Sequence, residues 1–453
     1  MTSARLETCL TWIILAAALV LRWTFVEPRW FHGDEWAFTV HPLGFWSGDL
    51  NPHFFNYPTL QFYLCSVVYY LYFLVFSTET LENFVAYRYF VQDADLIGIA
   101  RGVSTLMAVA TVAATIRLGS ALYGHRSGLL AGLVLATMPL HIRFSHLAIV
   151  DVPAALWTTL AVLFAVRIAL SGNTAACLLA GIFTGLAAAT KYPAALVAVS
   201  VLAACVLGKG SSRNLRMWMV AGAALASFSL ATPFVWLDFG KFWADFSSMA
   251  QVHLLGPPRD TGVSSWSHLL TVNLRYGLGV AGVAAFGFAM VWRPRTWRRP
   301  ELVLITAIAS FLGLLAFSES TFMRYALPLG PLLAVQITRP LFGVSSRRLV
   351  VAASVVLLAE PVYASLQTRT LLSGEDTRNR AKRWLAEQSP NPRRLFATPP
   401  CGADLPLLDT KRVVRRESRF AFSFGLERLR SAYQELSHHS ELPPFYSAVN
   451  LDY

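Results

Sequence analysis

Residues 152–170 read VPAALWTTLAVLFAVRIAL, a stretch of 19 residues in which Arg167 is the only charge. A transmembrane helix needs about 20 predominantly apolar residues. This stretch is therefore long enough to cross a bilayer, and similar runs lie on both sides of it. It predicts one helix of a polytopic membrane protein.

Ten further apolar runs, bounded by Gly, Pro and charged residues, have the same character. They lie near residues 8–26, 97–121, 128–147, 175–190, 192–207, 217–236, 268–291, 301–317, 325–341 and 349–366. Together the runs predict an all-α polytopic membrane protein with about 11 transmembrane helices. The first run is followed by residues that lack a signal-peptide cleavage site, so we expect it to remain as an uncleaved helix.

The composition agrees with a membrane protein. Hydrophobic residues make up 55% of the chain and charged residues only 14%, whereas soluble domains carry roughly 25% charged residues. These values exclude an ordinary soluble multidomain enzyme and a disordered chain. The five cysteines are scattered, and without a CxxC pair they predict neither a disulfide framework nor a metal site.

The distribution of charge predicts the topology. Alternate connections between the apolar runs carry 14 basic and two acidic residues, while the opposite segments before residue 367 carry 10 basic and 14 acidic residues. Loops rich in Lys and Arg tend to stay in the cytoplasm. We therefore expect a cytoplasmic N-terminus, and we attribute the net charge of +12 to the membrane topology rather than to nucleic-acid binding.

Residues 58–76 form an apolar run, rich in Tyr and Phe, that does not fit this alternation. If it crossed the bilayer, Asp34 and Asp151 would lie on opposite sides of the membrane. We interpret it as a helix at the outer interface, where Tyr and Trp are enriched. An ordinary span with an outside N-terminus is the alternative.

These predictions divide the chain into a membrane domain and a tail. The membrane domain covers residues 1–366, with a first outer loop at 27–96 and a second large outer loop at 237–267. GxxxG-type spacings, such as Gly181/Gly185, predict close helix packing. Residues 367–453 lack an apolar run and form a small region outside the membrane, either an accessory domain or a poorly ordered tail. Within it we expect an amphipathic helix to about residue 388 and short strands at 395–398 and 412–414.

The first outer loop contains the strongest candidate for chemistry, the pair Asp34-Glu35 within WFHGDEW (residues 30–36). Charges close to a bilayer are costly and often functional. A carboxylate here could take a proton from an acceptor hydroxyl or stabilise positive charge on a sugar ring. A solvated acidic turn would explain the same pair.

Further candidates lie at predicted outer ends of the apolar runs. Asp151 could be an N-cap or a site residue. Lys191 could extend toward the interface or bind a phosphate. Arg324 and Tyr325 could donate hydrogen bonds to a lipid phosphate or anchor the chain at the membrane interface. The sequence lacks Walker, Rossmann and HExxH patterns. We therefore expect any activated donor to arrive within the membrane.

Several motifs occur in an order that resembles a known superfamily. They are DE at 34–35, NPHFFNYP at 51–58, SHLAIVDVP at 145–153, TKYP at 190–193 and MRYALPLGPLLA at 323–334. Residues 8–366 resemble the GT-C superfamily of polyprenyl-phosphate-dependent glycosyltransferases. The most similar group is that of the protein O-mannosyltransferases and lipid A aminoarabinose transferases.

The resemblance implies an inverting transferase in the cytoplasmic membrane. It would move a sugar from a polyprenyl-phosphate carrier to a lipid, protein or glycan acceptor at the outer, periplasmic face. Asp34 would be the general base, Glu35 would complete the acidic pair, and Asp151 would orient the site. The donor phosphate and lipid would be bound by Arg324, Tyr325, Lys191, Tyr57, His253 and Arg259.

The sequence leaves the sugar, the metal and the choice between an enzyme and its alternatives open. Aminoarabinose transferases have a Lys where this chain has Tyr57, so the phosphate would be held elsewhere and aminoarabinose is a less expected sugar. The sequence predicts no definite cofactor, and a divalent metal, Mg²⁺ or Mn²⁺, beside Asp34 and Asp151 stays open because some GT-C enzymes use one and others do not. The alternatives to an enzyme are a lipid-linked sugar flippase and a catalytically silent assembly subunit.

Overall fold

The computed structural model of the chain describes most of residues 3–375. The described ranges are 3–23, 32–90, 94–209, 212–251, 264–292, 296–318, 322–344 and 346–375, followed by isolated residues and the segments 395–397 and 448–450.

The described chain is almost entirely helical. The helices are α1 (Ser3–Arg22), α2 (Ala37–Gly44), α3 (Leu60–Phe76), α4 (Leu81–Phe90), α5 (Ala94–Tyr123), α6 (His125–Ala136), α7 (Pro139–Ser145), α8 (Asp151–Ser171), α9 (Thr174–Thr190), α10 (Val197–Leu207), α11 (Arg213–Ala231), α12 (Phe234–Leu237), α13 (Phe239–Ala250), α14 (Ser265–His268), α15 (Arg275–Val291), α16 (Arg299–Phe317), α17 (Leu329–Ile337) and α18 (Arg347–Ser373). Short 3₁₀ turns include Gly33–Trp36, Tyr192–Leu196 and Met323–Ala326, and residues Leu269–Leu274 form a π-helical turn.

Each predicted apolar run contains a helix, so the all-α membrane fold is confirmed. Among the described residues, five helices are long and apolar enough to cross a bilayer, and the bent pair α6–α7 would make a sixth. The count of 11 stays a prediction, since several runs form shorter helices. For example, the predicted run at residues 325–341 contains α17, which has only 9 residues.

The last long helix extends further than the predicted apolar run. Helix α18 ends at Ser373 rather than near residue 366, and its last turns include exposed polar residues. Beyond it, β1 (Leu395–Ala397) pairs in parallel with β2 (Ala448–Asn450). The first strand lies where one was predicted. The predicted strand at 412–414 and most of the predicted helix up to residue 388 lie outside the described residues.

Glycines allow α9 and α11 to approach closely. A Cβ added at Gly181 would lie 2.5 Å from the Val220 carbonyl oxygen, and one added at Gly185 would lie 2.0 Å from Ser227 Oγ. Neither position has room for a side chain. The predicted close contact at this GxxxG spacing is therefore confirmed.

Helix α3 packs against the outer loop that precedes it. Its Tyr69 side chain is fully buried and donates a hydrogen bond to the Phe38 carbonyl at 2.8 Å, while Phe76 at its far end is 74% exposed. Asp34 precedes α3, and it lies beside the same arginine, Arg324, as Asp151 does. Asp34 and Asp151 therefore lie at the same end of the molecule, and the interfacial position of α3 stays a prediction.

A buried arginine stabilises the break between α6 and α7, which are inclined by 60°. The fully buried Arg22 donates to the carbonyls of Ala136 at 2.8 Å and Leu135 at 3.0 Å, and its Nη2 lies 3.2 Å from His141 Nδ1. The last carbonyls of a helix have no partner within the helix and carry partial negative charge. Arg22 therefore caps α6 and stabilises the bend that leads to Asp151.

Candidate functional site

Four separate parts of the chain bring charged side chains to one end of the helix bundle. Asp34 lies in the 3₁₀ turn after α1, and Asp151 is the first residue of α8. Lys191 follows α9, where Pro193 prevents the helix from continuing. Arg324 lies in the 3₁₀ turn that precedes α17. The sequence identified these four residues, and the structure brings them together.

Arg324 is the centre of the cluster. Its Nη1 lies 2.8 Å from Asp34 Oδ2, and its Nε lies 4.0 Å from Asp151 Oδ2. Burial would lower the pKa of Arg324, but Asp151 and Asp34 outweigh it and raise that pKa above its ordinary value. The guanidinium therefore stays charged and links the two carboxylates.

His32 gives Arg324 a further partner. The same Nη1 lies 2.7 Å from His32 Nε2. An arginine only donates hydrogen bonds, so this ring nitrogen accepts. Burial lowers the pKa of His32, although Asp34 acts in the opposite direction, and the imidazole is therefore neutral. Sequence analysis did not single out His32, which lies two residues before Asp34.

Lys191 is bonded to the buried Asp151. Its Nζ donates to Asp151 Oδ1 and lies 4.1 Å from the centre of the Tyr325 ring, a cation–π arrangement. Burial lowers the pKa of Lys191, and Asp151 offsets part of that effect. Asp151 therefore holds both cations of the site, and Tyr325 presents its ring face to one of them.

Tyr57, predicted to contact phosphate or lipid, is bonded to the candidate base. Its hydroxyl donates to Asp34 Oδ2 at 3.0 Å. Burial and then the neighbouring Asp34 charge raise the pKa of Tyr57 well above its ordinary value. The phenol therefore stays protonated, and it stabilises the Asp34 carboxylate.

Glu35 has surroundings quite unlike those of Asp34. It is completely buried, and both of its oxygens lie 2.8 Å from guanidinium nitrogens of Arg101. Its carboxylate also accepts from the backbone amides of Ala148 at 2.8 Å and His32 at 3.0 Å. These bonds fasten the Asp34 turn to α5 and to the segment before α8. Arg101 is a charge within an apolar run, a signal that the sequence analysis did not use.

A second polar cluster joins the first outer loop to the start of the second. Asn51 donates to Asp238 Oδ2 at 2.8 Å, and His53 Nδ1 lies 3.6 Å from the same oxygen. The Phe55 amide donates to Asp245 Oδ2 at 2.9 Å. Asp238 and Asp245 thus bind the loop that leads to Tyr57. The predicted contacts His253 and Arg259 lie outside the described residues.

The described residues do not form a metal site. Asp34 and Asp151 already contact cationic side chains. Across the described ranges, no group of three or more His, Cys, Asp and Glu side chains is arranged to bind an ion. The described residues therefore do not fit the Mg²⁺ or Mn²⁺ left open by the sequence.

A family model and several solved structures are similar to this chain. Residues 96–236 match the family model of the dolichyl-phosphate-mannose-protein mannosyltransferases. The resemblance predicted from the sequence is thereby confirmed. A search of curated proteins by sequence gives no match.

Two solved structures illustrate the similarity of fold. ArnT from Cupriavidus metallidurans, bound to undecaprenyl phosphate, matches with a TM-score of 0.56 at 15% sequence identity. The match covers 96% of this chain and 78% of the ArnT chain. The oligosaccharyltransferase AglB from Archaeoglobus fulgidus, in complex with an inhibitory peptide and a dolichol-phosphate, has a TM-score of 0.55 at 12% identity and covers 85% of this chain. The chain spans 58% of the length of AglB. These identities show a shared fold alone.

Proposed function

We propose that the chain is an integral membrane glycosyltransferase that moves a sugar from a polyprenyl-phosphate carrier to an acceptor hydroxyl. The observation that carries the proposal is the convergence of Asp34, Asp151, Lys191 and Arg324 from four segments at one end of the bundle. The mannosyltransferase family match and the lipid phosphates bound by ArnT and AglB support the class of donor.

The transfer is a single displacement at the anomeric carbon. The acceptor oxygen attacks from the face opposite the phosphate and forms the new C–O bond. The bond from the anomeric carbon to the phosphate oxygen breaks, and its electron pair leaves with the polyprenyl phosphate. Asp34 takes the proton of the acceptor hydroxyl. One displacement inverts the anomeric configuration.

The cations stabilise the leaving group. Negative charge grows on the phosphate as its bond to the sugar breaks. Preorganised hydrogen-bond donors in a partly desolvated site stabilise this charge strongly. Arg324 and Lys191 are such donors, since their side chains are only 11% and 14% exposed. Asp151 positions both of them. Glu35, bonded to Arg101, positions the turn that carries Asp34.

The membrane location has two parts. The apolar helices and the family match support a multi-pass membrane protein. The excess of basic residues in alternate connections favours a cytoplasmic membrane with the site at the outer, periplasmic face. The acceptor there would be a lipid, a protein or a glycan.

The test is sugar transfer from labelled polyprenyl-phosphate sugars by the purified full-length protein with a panel of acceptors. We expect transfer by the wild type and none by Asp34→Asn, because the amide cannot accept the proton. Asp49→Asn is the matched control: it removes a carboxylate of the same outer loop whose Oδ2 lies 2.8 Å from His53 Nε2.

Normal turnover by Asp34→Asn would exclude Asp34 as the base. If the wild type binds the lipid phosphate but transfers no sugar across the panel, the result would favour a flippase or a silent assembly subunit over the enzyme.

A further inference from the structure

The ion pairs of the candidate site balance in charge. They join two carboxylates, Asp34 and Asp151, to two cations, Arg324 and Lys191. The formal charge of the four side chains is therefore zero. A phosphate that enters this cluster gains little from its net charge, and its direct contact with a cation competes with the carboxylate already paired to that cation.

The two carboxylates differ in their exposure and in the cations that they contact. Asp151 is 4% exposed and contacts both cations, whereas the Asp34 side chain is 29% exposed. Arg324 Nη1 lies 2.8 Å from Asp34 Oδ2 and 2.7 Å from His32 Nε2. An anion that approaches Nη1 therefore competes with the more exposed carboxylate, that of Asp34.

The carboxylate of Asp34 tolerates this exchange. Its Oδ2 accepts both from Arg324 and, at 3.0 Å, from the Tyr57 hydroxyl. When Arg324 leaves, Tyr57 still stabilises the charge on Asp34. One lone pair of Oδ2 becomes available for a new donor.

We propose that Arg324 is exchanged between Asp34 and the phosphate of the donor. The phosphate takes the Nη1 hydrogen bond that Asp34 holds, and the Oδ2 lone pair released in this way accepts the proton of the acceptor hydroxyl. Donor binding thereby precedes proton transfer and releases the Asp34 carboxylate from its ion pair with Arg324. This inference rests on the proposed transferase function, which it deepens by assigning an order to the two substrates.

Equilibrium binding of undecaprenyl phosphate to the purified full-length protein tests the exchange, with undecaprenol as the probe that lacks phosphate. The neutral amide of Asp34→Asn competes for Arg324 more weakly than the carboxylate does, so we expect this variant to bind undecaprenyl phosphate about tenfold more tightly than the wild type, or about 1.4 kcal/mol. Undecaprenol should bind both proteins equally. Asp49→Asn removes the same charge from a carboxylate that lies beside His53 instead of Arg324. It should bind undecaprenyl phosphate like the wild type.

The double variant identifies the cause of any gain. Arg324→Gln should weaken binding of undecaprenyl phosphate. The double variant Arg324→Gln/Asp34→Asn should bind undecaprenyl phosphate no more tightly than Arg324→Gln does. A gain that persists without Arg324 would mean simple repulsion by Asp34 and would overturn the exchange. Equal binding by the wild type and Asp34→Asn, with weaker binding by Arg324→Gln, would also overturn it while leaving the proposed donor intact. No preference of any variant for undecaprenyl phosphate over undecaprenol would overturn both proposals.

Discussion

At the residue scale, Glu35 and the adjacent Asp34 differ in burial and in the side chains that they contact. Glu35 is fully buried and accepts from Arg101 and two backbone amides. Asp34 is partly exposed and contacts Arg324 and Tyr57. The 3₁₀ turn places one carboxylate in the protein interior and the other at the site. Only Asp34 is accessible to a substrate.

Glu35→Gln tests the positioning role. A buried ion pair that loses one partner leaves an uncompensated charge and typically costs about 3–5 kcal/mol. We expect a clear loss of thermal stability in detergent, measured as the unfolding temperature. The double variant Glu35→Gln/Arg101→Gln should lose less than the two single variants together. If Glu35 were a catalytic base instead, Glu35→Gln would abolish transfer at unchanged stability.

At the element scale, close helix contacts and helix breaks direct the polar residues to one end. Glycines bring α9 against α11, and α9 ends at Thr190 beside Lys191. Arg22 caps α6 before the bend to α7, from which the chain continues to Asp151. Shifts in either contact would therefore alter the spacing of the two charged residues.

Gly181→Ala probes the contact between α9 and α11. The added Cβ would lie 2.5 Å from the backbone oxygen of Val220, so the helices must separate. Overpacking of this kind typically costs about 1–3 kcal/mol. We expect a lower unfolding temperature in detergent.

Gly222→Ala is the matched control in α11, because a Cβ there meets no atom within 4 Å. It should leave stability unchanged or raise it slightly, since Ala favours a helix over Gly by about 1 kcal/mol. Equal effects of the two substitutions would contradict the close contact.

At the scale of the whole molecule, the return of the chain between Asp34 and Asp151 governs the topology. Both carboxylates lie beside Arg324, and α5 with the bent pair α6–α7 leads away from that end and back to it. Helix α3 packs on α2 within the first outer loop. This arrangement requires no crossing by α3.

Cysteine labelling of intact cells tests the predicted topology, because it shows from which side of the membrane each cysteine reacts. In a background in which the exposed Cys9 and the tail residue Cys401 are both replaced by Ser, we expect Thr80→Cys to react with a membrane-impermeant reagent from outside. Ser212→Cys, in a basic connection, should react only after the membrane is opened. Labelling of Thr80→Cys from the cytoplasmic side alone would show that α3 crosses the bilayer.

The sequence by itself determined the membrane class, the positions of the helices, and the charged residues at helix ends. Apolar runs and breaks at Pro or charge are local signals, because the bilayer acts on each segment separately. Asp34, Asp151, Lys191 and Arg324 were identified in this way. The order of their motifs also indicated the superfamily.

Only the tertiary structure decided which residues are partners. Arg324 meets Asp34 and His32 across 290 and 292 residues of chain, and Glu35 meets Arg101 across 66. Such contacts depend on helix bends, crossing geometry and the direction of a single turn. These are set by packing between distant segments, which hydrophobic pattern does not encode. The physical difference between Asp34 and Glu35, neighbours in the sequence, therefore emerged only from the fold.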